Sequence, residues 1–515
     1  MSQLGYHPLE AKRAVVELDR RDTSRFPLEL IRITENGPQQ VMKAEAEEWG
    51  GFLRYHHLVY DFTALREEGL YQFRYGKVCS NLFRVDSELY ERGVWQPVME
   101  YFLPVQMCHM LVREKYRVWH GRCHCDDACM APADYEQFDG AAQGPSTLTR
   151  FRSGERIPNL NAGGWHDAGD FDLRIESQVG EMYHLAAAVE EFGAYVDETT
   201  VDQERKITEI HQPDGKNDIL EQIEHGALSV MGAYRSMGRL YHEIMCRDLR
   251  QYVLQGDPST MTAGTPDSED CRYVFTEDNP TRELTCAAQL AAVYRVLKEL
   301  NPALAEQCLT AAKELYATTR VVQEATSEVE YDPAAMGKNY TLDAKIHAAC
   351  ELLLTTGEDV YREELLRRGD YILQNVQRVG WMVCRAIGRI RDDAFRADLR
   401  EALRAYRHEL DLSSAETPYG VPYRPNIWGA GWAIQAQGAR YYFLHKAFPD
   451  IFPPEPMYRA LQFVLGCHPG SNTESFASGV GTNSITIAYG MNRADWSFIP
   501  GGVASGTSLI RPDFP

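Results

Sequence analysis

The residues best suited to chemistry in this sequence lie in one short stretch, GGWHDAGDFD, from Gly163 to Asp172. It holds Asp167 and Asp170 close together, directly after His166. Paired carboxylates either bind a hard cation such as Ca²⁺ or position and deprotonate a water molecule. The glycine between the two aspartates allows the tight turn that would let both carboxylates converge. The alternative is that Asp170 or Asp172 caps the helix that follows.

Cysteine and histidine cluster shortly before this stretch, in the segments QMCHM and GRCHCDDACM. Thiolate and imidazole ligands together suit tetrahedral Zn²⁺. The four ligands predicted for a structural zinc are Cys108, Cys123, His124 and His166. Because Cys123 and His124 are adjacent, both can ligate one ion only if the backbone bends there. A zinc at this position would hold the loop that carries Asp167, whereas the alternative is free thiols and surface histidines.

Two late segments, TPYGVPYRPNIWGAGW and NRADWSFIPGG, are rich in aromatic and charged residues. Tryptophan and tyrosine rings offer flat faces to sugar rings, and Arg and Asp hold hydroxyl groups by paired hydrogen bonds. Trp428 and Tyr419 are therefore candidate stacking residues, and Arg493 and Asp495 are candidate hydrogen-bonding residues. The alternative is that these aromatic rings pack in a core.

Composition excludes several classes of partner. The chain has 515 residues, 44% of them hydrophobic, and a formal net charge of −21. Such a negative field repels nucleic acid and anionic membranes. The sequence contains no run of 18 apolar residues, so no membrane span is predicted. The opening segment MSQLGYHPLEAKR lacks the apolar core of a signal peptide. With twelve cysteines expected to be reduced, a cytoplasmic location is predicted.

The elements that must position these residues fall into two regions. Residues 1–86 predict a small all-β sandwich, and residues 87–515 predict helices. The predicted strands are 13–18, 28–33, 55–62, 70–76 and 81–85. The predicted helices are 91–107, 174–192, 217–245, 286–300, 303–317, 341–355, 359–377, 394–410, 431–447 and 455–466. Such a series of helical hairpins fits either a helical toroid or a helical solenoid.

With these residues identified, the sequence resembles glycoside hydrolase family 9, the inverting β-glucanases. GGWHDAGDFD is similar to the signature of that family, and QLGYHP, CAAQLAAVYRV, PYGVP and LGCHPGSNTESFASGVG resemble further family segments. The resemblance implies a mainly α fold, an (α/α)6 barrel preceded by a small immunoglobulin-like β-sandwich.

The resemblance also implies roles for single residues. Asp170 matches the general base that activates water, and Asp167 matches the residue that orients that water. The four predicted zinc ligands match those of members that carry the immunoglobulin-like domain. Cys125 and Cys129 do not match that pattern, so their role stays open. Calcium is a second candidate cofactor, without assignable ligands in this sequence.

The general acid is the first departure from the family. The family's acid is a glutamate expected after the PGG segment at 500–502, and no glutamate follows Glu474. We therefore expect that the acid and the last barrel helix lie beyond Pro515, and that the 515-residue chain has little hydrolytic activity. Glu474 is the one candidate substitute for the acid.

The substrate loop is the second departure. AYGMNRADWSFIPGG keeps Arg493 but lacks the histidine of typical family cellulases. The segment resembles the intracellular, exo-acting branch of the family, which includes exo-β-glucosaminidases. The expected function is thus an inverting β-glycosidase acting on short oligosaccharides that contain glucose or glucosamine. The alternatives are a non-catalytic carbohydrate-binding protein and a zinc-stabilised helical scaffold for protein partners. Oligomeric state is not predicted.

Overall fold

The computed structural model describes residues 1–138, 140–167, 171–247, 271–321, 340–425, 429–470, 472–486 and 498–508. Within these ranges the chain has an N-terminal β-sandwich followed by a helical barrel. Among the described helices, none is both long and apolar enough to cross a lipid bilayer.

The N-terminal strands form two sheets that enclose an aromatic core. One sheet has the strand order β1-β9-β7-β3-β4 with β8 paired to β7, and the other has the order β2-β6-β5. The strands are β1 (Gly5–Tyr6), β2 (Arg13–Asp19), β3 (Leu28–Thr34), β4 (Gly37–Ala44), β5 (Glu47–Phe52), β6 (Tyr55–Asp61), β7 (Gly69–Tyr75), β8 (Val78–Cys79) and β9 (Phe83–Val85). Phe62 lies at the centre, with ring centroids 5.0 Å from Tyr6 and 4.9 Å from Phe73. The predicted sandwich is confirmed, whereas its immunoglobulin-like character and the boundary after residue 86 stay predictions.

Sequence reasoning missed β4 and β5 because their side chains are mostly exposed. A strand without a buried face shows little of the alternation of apolar and polar residues on which strand prediction depends. The five predicted strands all form, within one or two residues of their expected ends.

The helices form two concentric layers. They are α1 (Gln96–Glu100), α2 (Ile175–Phe192), α3 (Asp218–Met237), α4 (Pro280–Leu297), α5 (Pro302–Thr318), α6 (Thr341–Thr356), α7 (Asp359–Arg367), α8 (Gly369–Gln374), α9 (Val376–Ala386), α10 (Asp393–Ala415), α11 (Gly431–Ala447) and α12 (Glu455–Val464). Helices α2, α4, α6, α9 and α11 pack in sequence around one axis, and the intervening helices pack outside them. This is the predicted toroid, an (α/α)6 barrel, and not a solenoid.

A buried ion network shows that the inner helices run parallel. Each of four inner helices contributes one residue from its C-terminal half: Glu190 of α2, Arg295 of α4, Glu351 of α6 and Arg385 of α9. The Arg295 Nη2 atom lies 2.6 Å from Glu351 Oε2, and the Arg385 Nε atom lies 2.7 Å from Glu351 Oε1. Since these C-terminal halves meet, the N-terminal ends of the inner helices face the opposite end of the barrel. The GGWHDAGDFD stretch lies at that end, because it leads directly into α2.

Three predicted helices differ from the structure. The predicted helix 217–245 ends at Met237, where Gly238 has a φ of +73°, and Glu243–Met245 form a strand instead. Of the predicted helix 91–107, only Gln96–Glu100 is helical, and turns follow. Pro104 in this segment lacks the N–H that a continuing helix requires. The predicted helix 359–377 is divided into α7, α8 and the start of α9. The apolar residues keep a helical periodicity across the two breaks, so the sequence pattern does not reveal them.

Small sheets fill the long connections around the barrel entrance. One has the order β11-β10-β15-β14 and the other the order β12-β17-β16-β13. Their strands are β10 (Leu111–Glu114), β11 (Arg117–His120), β12 (Cys129–Met130), β13 (Leu173–Arg174), β14 (Thr199–Asp202), β15 (Ile207–Ile210), β16 (Glu243–Met245) and β17 (Tyr273–Phe275). Since β13 directly precedes α2, the second sheet fixes where the aspartate-rich stretch enters the barrel.

Candidate functional site

The backbone of the GGWHDAGDFD stretch pairs with the segment that carries the first cysteine ligand. The His166 N–H donates to the Gln106 carbonyl at 2.7 Å, and the Cys108 N–H donates to the Gly164 carbonyl at 2.8 Å. This antiparallel pairing places two residues that are 58 positions apart in the sequence, Cys108 and His166, in one layer of the fold.

Glycine is required where this stretch passes α3. Gly163 has a φ of +74°, and a Cβ atom there would lie 2.0 Å from the His225 carbonyl oxygen. The next residue is held in place by His225, whose Nε2 atom lies 2.9 Å from the Gly164 carbonyl oxygen. Gln178 of α2 bonds both the N–H and the carbonyl of Trp165, at 2.9 and 2.8 Å. Two helices therefore position this part of the stretch.

The four predicted zinc ligands come together in a buried cluster. One donor atom from each of Cys108, Cys123, His124 and His166 lies within 4.8 Å of the others. Cys108 Sγ is 3.7 Å from His124 Nδ1, and Cys123 Sγ is 3.7 Å from His166 Nε2. In a tetrahedral zinc site, sulfur and nitrogen ligands are separated by about 3.6 Å. His124 has a φ of +52°, which supplies the backbone bend that two adjacent ligands require.

The electrostatics of the cluster also fit a cation. Burial and the nearby Arg272 lower the pKa of both His124 and His166 well below the ordinary value. Both imidazoles are therefore neutral, the form that ligates metals. Burial and the Cys123 thiol raise the pKa of Cys108 well above the ordinary value, and a divalent ion bound there would offset this by stabilising the thiolate. The cluster could thus hold a metal ion of the zinc type.

A buried arginine, which sequence reasoning missed, links the cluster to the aspartate-rich stretch. Arg272 Nε donates to Asp127 Oδ2 at 2.8 Å, and the Arg272 backbone N–H donates to Asp127 Oδ1 at 2.9 Å. The Arg272 Nη2 atom lies 3.1 Å from Cys108 Sγ, and Nη1 donates to the Phe171 carbonyl. Burial would raise the pKa of Asp127, but Arg272 and His109 hold it below its ordinary value. This charged pair is hereafter called the Arg272 clamp.

The first aspartate of the pair faces solvent at the barrel entrance. Asp167 is exposed, and its backbone N–H donates to the Asp172 carbonyl at 2.9 Å. Asp170 lies outside the described residues. Asp172 is buried and accepts a hydrogen bond from Arg174 Nε at 2.9 Å. Because Arg174 itself occupies the N-cap position of α2, the alternative that Asp172 caps this helix is wrong.

A further carboxyl group belongs to the same neighbourhood. Burial, and next the Asp167 carboxylate, raise the pKa of Glu181 from 4.5 to about 7. One turn further along α2, His184 is exposed to solvent, yet surrounding protein lowers the pKa of its imidazole. Among the described side chains, none forms a hydrogen bond or ion pair with Glu181, and a lone glutamate on a helix has no sequence signal by which it could have been singled out.

The predicted sugar-binding residues are not brought together in the described part of the chain. Tyr419 is 5% exposed, and its hydroxyl lies 3.4 Å from both Glu17 Oε2 and His57 Nε2 of the sandwich. Its ring therefore packs between the barrel and the sandwich, which is the core-packing alternative. The other three predicted residues lie outside the described ranges: Trp428, Arg493 and Asp495.

Glu474, the candidate substitute for the general acid, lies in the loop after α12. Its backbone N–H donates to Asn472 Oδ1 at 2.9 Å, and its carbonyl oxygen lies 2.9 Å from His468 Nε2. These contacts hold the backbone of the loop and involve no atom of the Glu474 carboxylate. Its role as an acid stays a prediction.

The family assignment comes from a comparison that covers most of the chain. The model of glycosyl hydrolase family 9 matches residues 99–500. The chain belongs to this family. Endoglucanase D of Acetivibrio thermocellus is 21% identical over 450 residues, which span 82% of this chain and 64% of that protein. The xyloglucan-specific endo-beta-1,4-glucanase BoGH9A of Bacteroides ovatus is 23% identical over 524 residues, 94% of this chain and 81% of that protein.

Solved family 9 structures share the fold. A metagenome-derived family 9 endoglucanase superposes with a TM-score of 0.71 at 22% identity, covering 98% of this chain and 90% of its own. A Zn-binding triple mutant of the family 9 endoglucanase J30 superposes with a TM-score of 0.69 at 19% identity, covering 98% and 90%. The two-layered barrel behind a β-sandwich is therefore the family 9 architecture.

Proposed function

We propose that this family 9 chain is an inverting β-glycosidase that hydrolyses short β-1,4-linked oligosaccharides and favours chains that contain glucosamine. Asp170 is the general base, and Asp167 orients the attacking water. In an inverting mechanism a second carboxyl group, about 6.5–9.5 Å from the base, protonates the leaving oxygen.

Zinc is proposed as a structural ion at the Cys108, Cys123, His124 and His166 cluster. Support comes from the 3.7 Å spacing of sulfur and nitrogen donors and from the complete burial of the four residues. A closed four-ligand site leaves no position for substrate, so the ion stabilises the loop and does not take part in hydrolysis. Its contribution is to keep Asp167, the residue after His166, at the barrel entrance.

Glu181 carries the proposed preference for amino sugars. Its carboxyl group is desolvated, is affected by the Asp167 charge, and has no ion-pair partner among the described residues. A protonated sugar amine would supply the missing positive charge, whereas a glucose hydroxyl would supply only a neutral hydrogen bond. Charge-assisted hydrogen bonds are about twice as strong as neutral ones, so the site would bind glucosamine more tightly than glucose.

Residues of the late loops are proposed to contact the substrate. Trp428 stacks on a sugar ring, and Arg493 and Asp495 bind hydroxyl groups. A cytoplasmic location is supported by the free thiols of the barrel core, among them Cys308 and Cys350. An enzyme in that compartment would act on imported oligosaccharides and not on intact polysaccharide.

A hydrolysis screen with the full-length protein tests the proposed activity. Chitosan, chitin and cellulose oligosaccharides are each incubated with the wild type and with Asp170→Asn, and the anomeric form of the first product is followed by NMR. We expect inversion, fastest turnover of chitosan oligosaccharides, and loss of most turnover in Asp170→Asn. Oligosaccharide binding without turnover would indicate a non-catalytic binding protein, and neither binding nor turnover would indicate a scaffold.

Glu181→Gln tests the substrate preference, with Glu363→Gln on the exposed side of α7 as a matched control. Loss of one charged hydrogen bond, about 1.5–3 kcal/mol, predicts that kcat/KM for chitosan oligosaccharides falls by about 10–100-fold. The value for cello-oligosaccharides should change much less. An equal loss on both substrates would instead assign a proton-transfer role to Glu181 and refute its role in amine recognition.

A further inference from the structure

Two cysteines outside the metal cluster, Cys129 and Cys271, have their sulfur atoms in contact. The Sγ atoms are 3.2 Å apart. The backbone holds them there, because Cys129 pairs with Tyr273 in the parallel bridge between β12 and β17, and the Cys129 N–H donates to the Arg272 carbonyl at 3.0 Å. Cys271 precedes Tyr273 by two residues, so its side chain projects from the same face as that of Tyr273. Since Tyr273 is paired with Cys129, the two cysteine side chains are diagonal neighbours on one face of the sheet.

The surroundings of the pair suit thiol oxidation. Cys129 is partly exposed to solvent, and Cys271 is buried at 9% exposure. The contact with Cys271 lowers the pKa of Cys129 to about 7, opposed by burial and assisted by Arg156 and Arg247. A low pKa and partial exposure are the properties of reactive cysteines. The accessible sulfur is thus the more nucleophilic one, and the buried sulfur lies next to it.

We propose that Cys129 and Cys271 form a reversible disulfide that locks the Arg272 clamp beside the metal cluster. The oxidant is a low-molecular-weight disulfide such as oxidised glutathione. The Cys129 thiolate attacks one of its sulfurs, forming a mixed disulfide and releasing one thiol. Cys271 then loses its proton, attacks the Cys129 sulfur and releases the second thiol. Two protein thiols are oxidised and one disulfide is reduced to two thiols.

The position of the bond gives it a structural consequence. Cys271 is the residue before Arg272, and Cys129 is two residues after Asp127, so the bond would join the two segments that carry the clamp. It would close a loop between residues 142 positions apart. Closing a long loop reduces the conformational entropy of the unfolded chain. The segment that approaches Cys108 and the Phe171 carbonyl should therefore open less readily in the oxidised protein.

Mass spectrometry of the reduced, full-length protein after exposure to oxidised glutathione tests the proposal. Free thiols are alkylated before digestion. We expect a peptide pair cross-linked through Cys129 and Cys271, with a mass loss of about 2 Da, that dithiothreitol separates. In Cys271→Ser the first step should stop at one glutathione attached to Cys129. Alkylation of both cysteines, or glutathione left on Cys129 in the wild type, would overturn the proposal.

Cys79 provides the matched control because it is exposed and belongs to the sandwich. It should form only a mixed disulfide, in the wild type and in Cys271→Ser alike. The unfolding temperature gives a second readout, which should rise on oxidation in the wild type and in Cys79→Ser but not in Cys129→Ser. Cross-linking without a rise in unfolding temperature would refute the locking effect. If a variant fails to fold, the proposal is tested by the wild-type protein alone, through the presence or absence of the cross-linked peptide pair. This inference does not depend on the proposed glycosidase activity.

Discussion

Replacing Glu181 with glutamine should remove a pH-dependent destabilisation of the fold. In the folded chain, burial and the Asp167 carboxylate raise the pKa of Glu181 from 4.5 to about 7. Between these values the folded chain binds this proton while the unfolded chain releases it. The free energy of unfolding therefore falls as pH rises from about 4.5 to about 7 and then levels off.

The magnitude follows from the same two pKa values. The difference is about 2.5 units, and each unit corresponds to about 1.4 kcal/mol, which gives about 3 kcal/mol as the upper value. Glu181 is partly exposed, and water reduces the effect to about 1–2 kcal/mol. Glutamine has nearly the shape of a protonated glutamate. Glu181→Gln should thus match the wild type at pH 4 and exceed its stability by about 1–2 kcal/mol at pH 8.

Urea unfolding at pH 4, 6 and 8 measures this difference, with Glu363→Gln as the control for loss of one exposed charge. The difference between Glu181→Gln and the wild type should grow with pH, and the control should show no such trend. A difference that does not change with pH, or a variant less stable than the wild type at pH 8, would refute the assignment of Glu181 to a desolvated position beside Asp167. Asp167→Asn should shift the transition in the wild-type curve to lower pH, because it removes the neighbouring charge.

Three further outcomes are expected. His166→Ala should reduce bound zinc, measured by atomic emission, from about one ion per chain to none, while Cys79→Ser keeps it; zinc-free wild-type protein would contradict the proposed site. Gly163→Ala should lower the free energy of unfolding by more than about 2 kcal/mol, because its Cβ would meet an α3 carbonyl oxygen at 2.0 Å. Gly154→Ala, with a similar φ of +77° but open space, should cost only about 1 kcal/mol, and equal losses would refute the steric argument. Arg272→Met should cost about 3 kcal/mol, since it removes the main cationic partner of the buried Asp127 carboxylate and leaves only His109 beside it; a loss below about 1 kcal/mol in urea unfolding would show that the clamp is not needed.

Much of the metal cluster could be predicted from sequence because its ligand types are rare and dense. Cys123 and His124 are adjacent, and Cys108 and His166 lie on either side within about 60 residues. The structure adds the observation that all four side chains are buried together. The positions of strands and helices could also be predicted from the sequence wherever one face of the element is buried. Burial of one face imposes the periodicity of apolar residues on which such predictions depend.

Other features depend on contacts between residues far apart in the chain. The Arg272–Asp127 pair joins residues separated by 145 positions, and no local pattern predicts which arginine will reach which carboxylate. Tyr419 was predicted to stack on a sugar, but its ring packs against the sandwich. The sequence does not distinguish an aromatic residue that lines a cleft from one that packs against another domain.

The sequence by itself determined which residue types are available for chemistry and, by burial periodicity, which segments become strands and helices. Only the tertiary structure decided their electrostatic state, because desolvation and the distance to other charges depend on every element packed around a side chain. Glu181 is an ordinary helical glutamate in the sequence. In the folded barrel it becomes a carboxyl group with a pKa of about 7, because the protein around it excludes water and places Asp167 nearby.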